Sequence, residues 1–347
     1  MSVTDLLLKA KSSKAEELMF VVGSEPRMRG SQGWQTLRNS PALVSEWNIL
    51  LQSLLSSQQK ATLETKGFII GETAMNNFRM GFSFVQNETT MKAVLDMNLD
   101  SHVQELQIPP ALMDSCLQMK GLVLLSSAGD LGQVWALHKI LQNMGEQKSF
   151  VAAVISRRAF PQIKENNACF IYHTGNFISP QDREVFLEGV DMVVFEGFSG
   201  EEYLQEAVEL AEQGYFVVYS MRAPHLMNCL RRSIACLENQ WGEHAAPRLA
   251  GILSLASAQY SMVGLGDERV FAHEVLLMKP QLKEKLEVAD IKSIGEILES
   301  MTEAPGILTL NQSLLQHLIR RRIDLKSAFE VTHNPDNLDQ LLKKVGI

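Results

Sequence analysis

Cysteine is scarce: the 347 residues hold only Cys116, Cys169, Cys229 and Cys236, none in a CxxC pair or at Cys/His metal spacing. That scatter excludes a disulfide framework and fits reduced thiols in a cytosolic core, so no metal site is expected. No apolar run reaches the 18 residues a membrane-spanning helix needs, and the opening "MSVTDLLLKAKSSKAEE" has too short an apolar segment for a secretory signal. The expectation is a cytoplasmic protein with no direct membrane insertion. Positive charge is also short, with 32 Lys+Arg against 40 Asp+Glu and a net charge of -8. Nucleic acid and anionic membranes both select a basic field, so neither is an expected partner. The clusters Arg157-Arg158, Arg231-Arg232 and Arg320 to Arg322 read as solvated helix or loop faces.

At 46% hydrophobic and 21% charged residues, the composition is that of an ordinary folded protein long enough for two domains. Residues 1–104 read as a short helix, then strands around "ELMFVV", "GFIIGE", "FRMGFSF" and "MKAVLDM", with an amphipathic helix from about Pro41 to Leu55: an α+β module. Charge and a double proline in "LDSHVQELQIPPALMD" place a linker at 105–112. From 113 to 347 strands and helices alternate: "GLVLLS", helix 132–146, "FVAAVI", "ACFIYH", helix 180–188, "DMVVFE", helix 201–213 and "YFVVYS". Continuous apolar strands between helices predict an α/β domain with a parallel sheet covered on both faces. The sheet core is expected over 113–279 and a helical bundle over 280–347. In such sheets ligands sit beyond the carboxyl ends of the strands, here the turns after Leu125, Ile155, Phe195 and Tyr219.

The stretch "GLVLLSSAGDLGQVWALHKIL" has the outline of a phosphate-binding loop: a buried strand, a small-residue turn over Ser126 to Gly132, and a helix with Val134, Leu137 and Leu141 on one side. The motif GxxxxGK[ST] uses glycines for close backbone approach, a lysine over the β- and γ-phosphates and a hydroxyl ligand for Mg²⁺. Here Ser127 stands at the first glycine, Gly129 and Gly132 lie within the turn, Gln133 replaces the lysine and Val134 replaces the hydroxyl. Asp130 adds negative charge where phosphates would lie. Charge-assisted hydrogen bonds are worth about 1.5–3 kcal/mol each, so these losses together cripple triphosphate binding.

Several segments in order resemble the retraction-type motor ATPases of type IV pili, the PilT family, and their secretion-ATPase relatives. "VTDLLLKAKSSKAEELMFVVGSEPRMR" looks like that family's first helix, strand and turn, "FRMGFSF" like its "FRVNAF" strand, and "GLVLL" like the strand before its phosphate loop. "GVDMVVFEGF" resembles the Walker B strand, "AEQGYFVVYSM" the "AETGHLVFGTLH" segment, and "RVFAHEVLL" the "RVAAHEIM" segment. "GILTLNQSLLQHLIRRRIDLKSAFEVTHNPDNL" resembles the carboxyl-terminal helices. The resemblance runs almost end to end. It implies an amino-terminal α+β (PAS-like) domain followed by a RecA-like P-loop-NTPase-fold domain with a parallel sheet and carboxyl-terminal helices, and a family that forms hexameric rings.

The departures gather at the family's catalytic positions. "ISRRAF" stands where an acidic "EDP" turn is expected, with Ser156 and Arg157 at the carboxylate positions. The Walker B "GE" is transposed to Glu196-Gly197, while Asp191, earlier on the strand, is retained. Arg222 replaces the histidine after "GTL". In the first domain Arg79 matches, but later basic positions carry Glu88 or Thr89 and Asp96, and "QLKEKLEV" only echoes "AIRNLIRE". Phosphoryl transfer is positioning plus electrostatic stabilisation by lysine, metal and arginine, with a carboxylate orienting water. With those parts missing or displaced, the resemblance implies a pseudo-ATPase with no catalytic residue and no cofactor. Its role would be regulatory or structural in type IV pilus, twitching or gliding motility. Its partners would be itself, an active PilT-type motor paralogue or another pilus-machinery protein, at the inner-membrane face. Two other readings stay open: a non-hydrolysing nucleotide or anion sensor using Arg157, Arg158 and Arg222, and an atypical weak ATPase using Glu196. His173 and His273 read as structural histidines, and methionines such as Met80 and Met91 as adaptable packing.

Overall fold

The computed structural model describes residues 2–75, 78–97, 106–128, 130–156, 163, 167–174, 180–198, 201–266, 268–300 and 304–346. The chain divides into two units. The first contains α1 (Val3–Ser12), β1 (Glu17–Val21), β2 (Arg27–Gly30), β3 (Gly33–Thr36), α2 (Val44–Leu54), α3 (Ser57–Lys66), β4 (Phe68–Met75), β5 (Phe78–Gln86) and β6 (Met91–Asp96). Its strands pair antiparallel in the order β3-β2-β1-β6-β5-β4. Ser2 starts α1 through a reciprocal cap, its Oγ accepting from the Asp5 amide at 3.1 Å while Asp5 Oδ2 accepts from the Ser2 amide at 2.8 Å. Buried Trp47 of α2 packs edge-on against Phe84 of β5, with ring centroids 5.5 Å apart, and its Nε1 donates to Gln86 Oε1 at 3.0 Å.

The four strands read from the sequence are all present. The β2–β3 hairpin and α3 are additional. Each hairpin strand is only four residues long and has no buried residue, so no apolar alternation marks it. In α3 only Leu63 is buried, and the helix depends on its ends: Ser56 caps the start and Gly67 closes it at φ 74°. The helix expected from Pro41 begins at Val44, where the Leu43 amide finds Glu46 Oε2 at 2.9 Å.

The second unit comprises α4 (Pro110–Gln118), β7 (Leu122–Ser127), α5 (Asp130–Gln147), β8 (Phe150–Ser156), β9 (Ala168–Thr174), α6 (Pro180–Phe186), β10 (Met192–Phe198), α7 (Glu201–Glu212), β11 (Phe216–Arg222) and α8 (Leu226–Trp241). It continues with α9 (Ala245–Ile252), β12 (Leu253–Val263), β13 (Arg269–Leu277), α10 (Pro280–Glu287), α11 (Ile291–Ser300), β14 (Ile307–Leu308), α12 (Leu310–Ile319), α13 (Leu325–Val331) and α14 (Pro335–Val345). Pro110, placed in the linker from its composition, already opens α4, since proline's fixed φ suits the first helical position.

The sheet order is β14-β13-β12-β7-β11-β10-β8-β9. Pairing is parallel from β12 through β7, β11 and β10 to β8, as expected, but β13 and β14 join antiparallel, so the sheet is mixed. A short connection between β12 and β13 leaves no room for a crossover helix, which forces the antiparallel turn. The parallel strands alternate between two apolar faces. Leu122, Leu124, Val193, Phe195, Val217 and Tyr219 share a core with Leu204 and Val208 of α7 and Leu230 and Ile234 of α8. Helix α5 packs on β7, β10, β11 and β12 and supplies the fully buried Trp135, Leu137, Ile140 and Leu141. At the entry to β7, Gly121 sits at φ 66°, and a Cβ there would stand 2.3 Å from the Ile252 carbonyl oxygen.

His273 of β13 and His317 of α12 are both buried. His317 Nε2 lies 2.9 Å from the Phe271 carbonyl oxygen. Burial pushes the His273 imidazole down to about 3, with His317 beside it acting in the same direction. Burial lowers His317 too.

Two outcomes follow from these contacts. Gly121→Ala should destabilise the protein by about 1–3 kcal/mol through a left-handed φ and a backbone clash, measurable by denaturant unfolding. Because the folded pKa of His273 is depressed, the unfolded chain binds the proton first. Stability should therefore hold above pH ~6.5 and fall as pH drops toward 3, by up to about 1.4 kcal/mol per unit for this group. Thermal melts of His273→Gln between pH 7.5 and 4.5 should show a shallower decline than the parent; an unchanged slope would remove His273 as the cause.

Candidate functional site

Where the apolar runs of β7, β8, β10 and β11 stop, polar residues begin, and the pairing brings them to one level at the carboxyl edge of the sheet. Met221 pairs with Ser126 and Arg222 with Ser127, while Glu196 pairs with Ser156. Ser127, Ser156, Glu196 and Ser220 are all buried. Ser156 Oγ donates to Glu196 Oε2 across the β8–β10 pair. After Glu196 the strand changes register between Phe195 and Phe198, and Gly197 takes φ 76°, a conformation glycine allows at little cost. The Gly197 amide then donates to Ser220 Oγ at 3.3 Å.

The strand end of β11 ties down the turn after β7. Arg222 is exposed, yet its Nε donates to the Ala128 carbonyl at 3.0 Å, and the Ala223 amide reaches the Ser127 carbonyl at 3.1 Å. Arg232, two turns into α8, donates through Nη1 to the Arg222 carbonyl. On the other side Ser126 Oγ donates to the Ser257 carbonyl at 3.3 Å. The entry to the β7–α5 turn is thus held from β11 and β12 by the chain itself.

The sequence-derived positions divide as follows. Ser127, Ser156, Glu196 and Arg222 come together at this edge. Asp130, Gly132, Gln133 and Val134 lie in the opening turns of α5, directly after the β7 turn. Gly129, Arg157 and Arg158 lie outside the described residues. Asp191 is not at the edge. It precedes the first residue of β10, at the opposite end of the sheet, where its Oδ2 accepts from the Val151 amide at 2.9 Å. Five residues of extended chain separate it from Glu196, about 16 Å at the rise of a strand. Its task is to complete the hydrogen bonding at the start of β8. His173 lies in β9, its ring 5.9 Å from that of Phe186.

A second polar cluster, which the sequence reading did not assemble, sits among β12, β13 and the helices α8, α12 and α14. Tyr260 Oη donates to Glu274 Oε2 at 2.5 Å. Burial raises the Glu274 carboxyl above its ordinary range, against the Tyr260 hydroxyl and the backbone at Leu226 and Leu310, the first residues of α8 and α12, which act to lower it. The Tyr260 hydroxyl is raised by burial and by the Glu274 charge. His225 and His333 meet edge to face with centroids 3.7 Å apart, and burial carries His333 down to about 4, so it is neutral at pH 7. The signal lay in "FAHEVLL": His273 and Glu274 interrupt an otherwise apolar strand.

Among the described residues no group of three or more His, Cys, Asp or Glu side chains could hold a metal ion. No described helix is long and apolar enough to cross a membrane. Cys116 and Cys229 are buried, which pushes both thiols up to about 12 and leaves them unreactive as thiolates.

No protein-family model matches this chain, and no curated protein matches it in sequence. Solved structures do match over nearly the whole length. The pilus retraction motor PilT with bound ADP is similar at a TM-score of 0.76 and 17% identity, covering 98% of this chain and 99% of that one. The Legionella pneumophila ATPase DotB is similar at 0.72 and 14% identity, covering 95% and 96%. The Yersinia pseudotuberculosis ATPase DotB is similar at 0.71 and 16% identity, covering 94% and 92%. With both units and the mixed sheet included in the overlap, the chain has the fold of the PilT and DotB motor ATPases.

Proposed function

We propose that this protein is a catalytically degenerate relative of the retraction-type motor ATPases, acting as a regulatory or structural partner in a type IV pilus or related surface-motility machine. Its partners would be further copies of itself or an active motor paralogue, met in the cytoplasm at the inner-membrane face of that machine. The fold supports the machine. The sheet edge supports the loss of turnover.

The single observation that carries the reading is the Ser156–Glu196 pair. A carboxylate that orients a hydrolytic water has to reach that water. Glu196 is fully buried and turned toward the hydroxyl of the neighbouring strand. In the resembled pattern carboxylates occupy the position of Ser156; here a hydroxyl donor stands there, and it stabilises Glu196 as part of the sheet. Gln133 and Val134 at the start of α5 lack the ammonium and hydroxyl that hold triphosphate and Mg²⁺. Arg222 spends its Nε on the turn that would cradle phosphate.

Calorimetric titration of the purified protein with Mg²⁺-ATP, together with phosphate-release assays, should give neither saturable heat at millimolar nucleotide nor turnover above a protein-free control. Turnover abolished by Glu196→Gln would overturn the reading; saturable binding without turnover would replace it with a nucleotide sensor. Ser156→Ala should lower stability by about 1–3 kcal/mol, because a buried carboxylate loses a donor, while phosphate release stays at background. The double replacement Q133K/V134T restores the missing side chains of the loop and should still give no hydrolysis; hydrolysis would show that the loop alone had been limiting.

A further inference from the structure

Helices α8, α11, α12 and α14 line an open pocket of about 450 Å³ within the second unit, whose wall includes none of Ser127, Ser156, Glu196 and Arg222. That is the size of a small-molecule pocket. Its wall carries charge of both signs. Arg231 of α8 enters from one side, its Nη1 held by Asn228 Oδ1 at 3.0 Å. Glu299 of α11 enters from another, its Oε2 accepting from Asn334 Nδ2 at 3.2 Å. Among the described residues neither forms an ion pair. Each is positioned by a neutral asparagine, so cation and anion line one cavity without satisfying one another.

The remaining wall narrows the class of occupant. Met227, Leu298 and Leu310 provide apolar surface. Glu274 adds a second carboxyl group, and the buried His225 Nδ1 at the wall has no hydrogen-bond partner among the described residues. A simple anion would meet Arg231 but also two carboxyl groups, and a simple cation would meet those groups but also Arg231. A compact molecule with both charges satisfies both ends.

We propose that this cavity binds a small zwitterion, a free α-amino acid with an aliphatic side chain. Its carboxylate lies on Arg231, its ammonium on Glu299, and its side chain against Met227, Leu298 and Leu310. Because none of Ser127, Ser156, Glu196 and Arg222 lines the site, it stands whether or not nucleotide binds at those residues.

The test is calorimetry and thermal shift on the full chain with L-leucine as probe, alongside 3-methylbutylamine and 4-methylpentanoate, which each remove one charge. Leucine should bind saturably and raise the melting temperature, and each single-charge analogue should bind roughly tenfold or more weakly, the cost of one lost charge-assisted hydrogen bond. Arg231→Gln and Glu299→Gln, both at exposed positions, should weaken leucine similarly while melting like the parent without ligand. Gly295→Leu places a side chain at the cavity wall, where a Cβ would lie 3.6 Å from Met227, and should abolish binding. No leucine binding up to about 10 mM, equal binding of 4-methylpentanoate, or undiminished binding to Gly295→Leu would overturn the proposal.

Discussion

Complete pairing of β7 is the constraint on which the second unit depends. Every residue of Leu122–Ser127 is buried, so each backbone amide and carbonyl has to find its partner inside the sheet. Parallel neighbours supply those partners on both sides, β11 through Val217 to Arg222 and β12 through Leu253 to Gln259. Parallel pairing in turn demands crossover helices on both faces, which places α5 against one face and α7 with α8 against the other. Once β7 is fixed, the turn that follows it is fixed too, because the chain has to leave the sheet and enter α5 within a few residues. The loop outline over Ser126 to Gly132 is therefore a consequence of the sheet, and its persistence carries no information about phosphate.

The same sheet explains how the edge tolerates a buried acid. A lone carboxylate in a fully buried position costs several kcal/mol, and a second carboxylate beside it raises that cost. Glu196 pairs in register with Ser156, and the serine hydroxyl donates to it. The register change at Gly197 then turns the next amide toward Ser220. Hydroxyls from β8 and β11 thus surround the end of β10. On the proposed reading, a position once suited to handling water has been absorbed into the packing of the strands.

Much of this fold was legible because its signals are periodic. The runs "GLVLL", "FVAAVI", "DMVVFE" and "YFVVYS" became β7, β8, β10 and β11, and strands buried on both faces have little freedom to read otherwise. The hairpin of β2 and β3 was not legible, since short exposed strands carry no apolar pattern. The antiparallel join of β13 depends on a connection too short for a helix, which strand composition does not encode. At the site, Ser156, Glu196 and Arg222 were found because each stands where the resembled family's pattern carries a catalytic residue, just after an apolar strand. Asp191 begins its run, and only the pairing reveals that it belongs to the opposite end of the sheet. The Tyr260–Glu274 cluster joins residues from strands and helix starts distant in sequence, so no local spacing announced it.

The starts of α8 and α12 illustrate one electrostatic principle. The first amides of a helix lack partners and carry partial positive charge, so a helix start buried in a protein has to face an acceptor. At α12 Thr309 provides it, its Oγ1 accepting from the Gln312 amide at 3.2 Å while Gln312 Oε1 accepts from the Thr309 amide at 2.9 Å. At α8 the preceding residue, His225, makes no capping bond, and the buried Glu274 carboxyl of β13, held by the Tyr260 hydroxyl, is the group that acts on the first backbone amide. Two helices of the second unit thus solve one electrostatic problem differently: α12 with a side chain of its own, α8 with an acid borrowed from the sheet, which ties the start of that helix to β12 and β13.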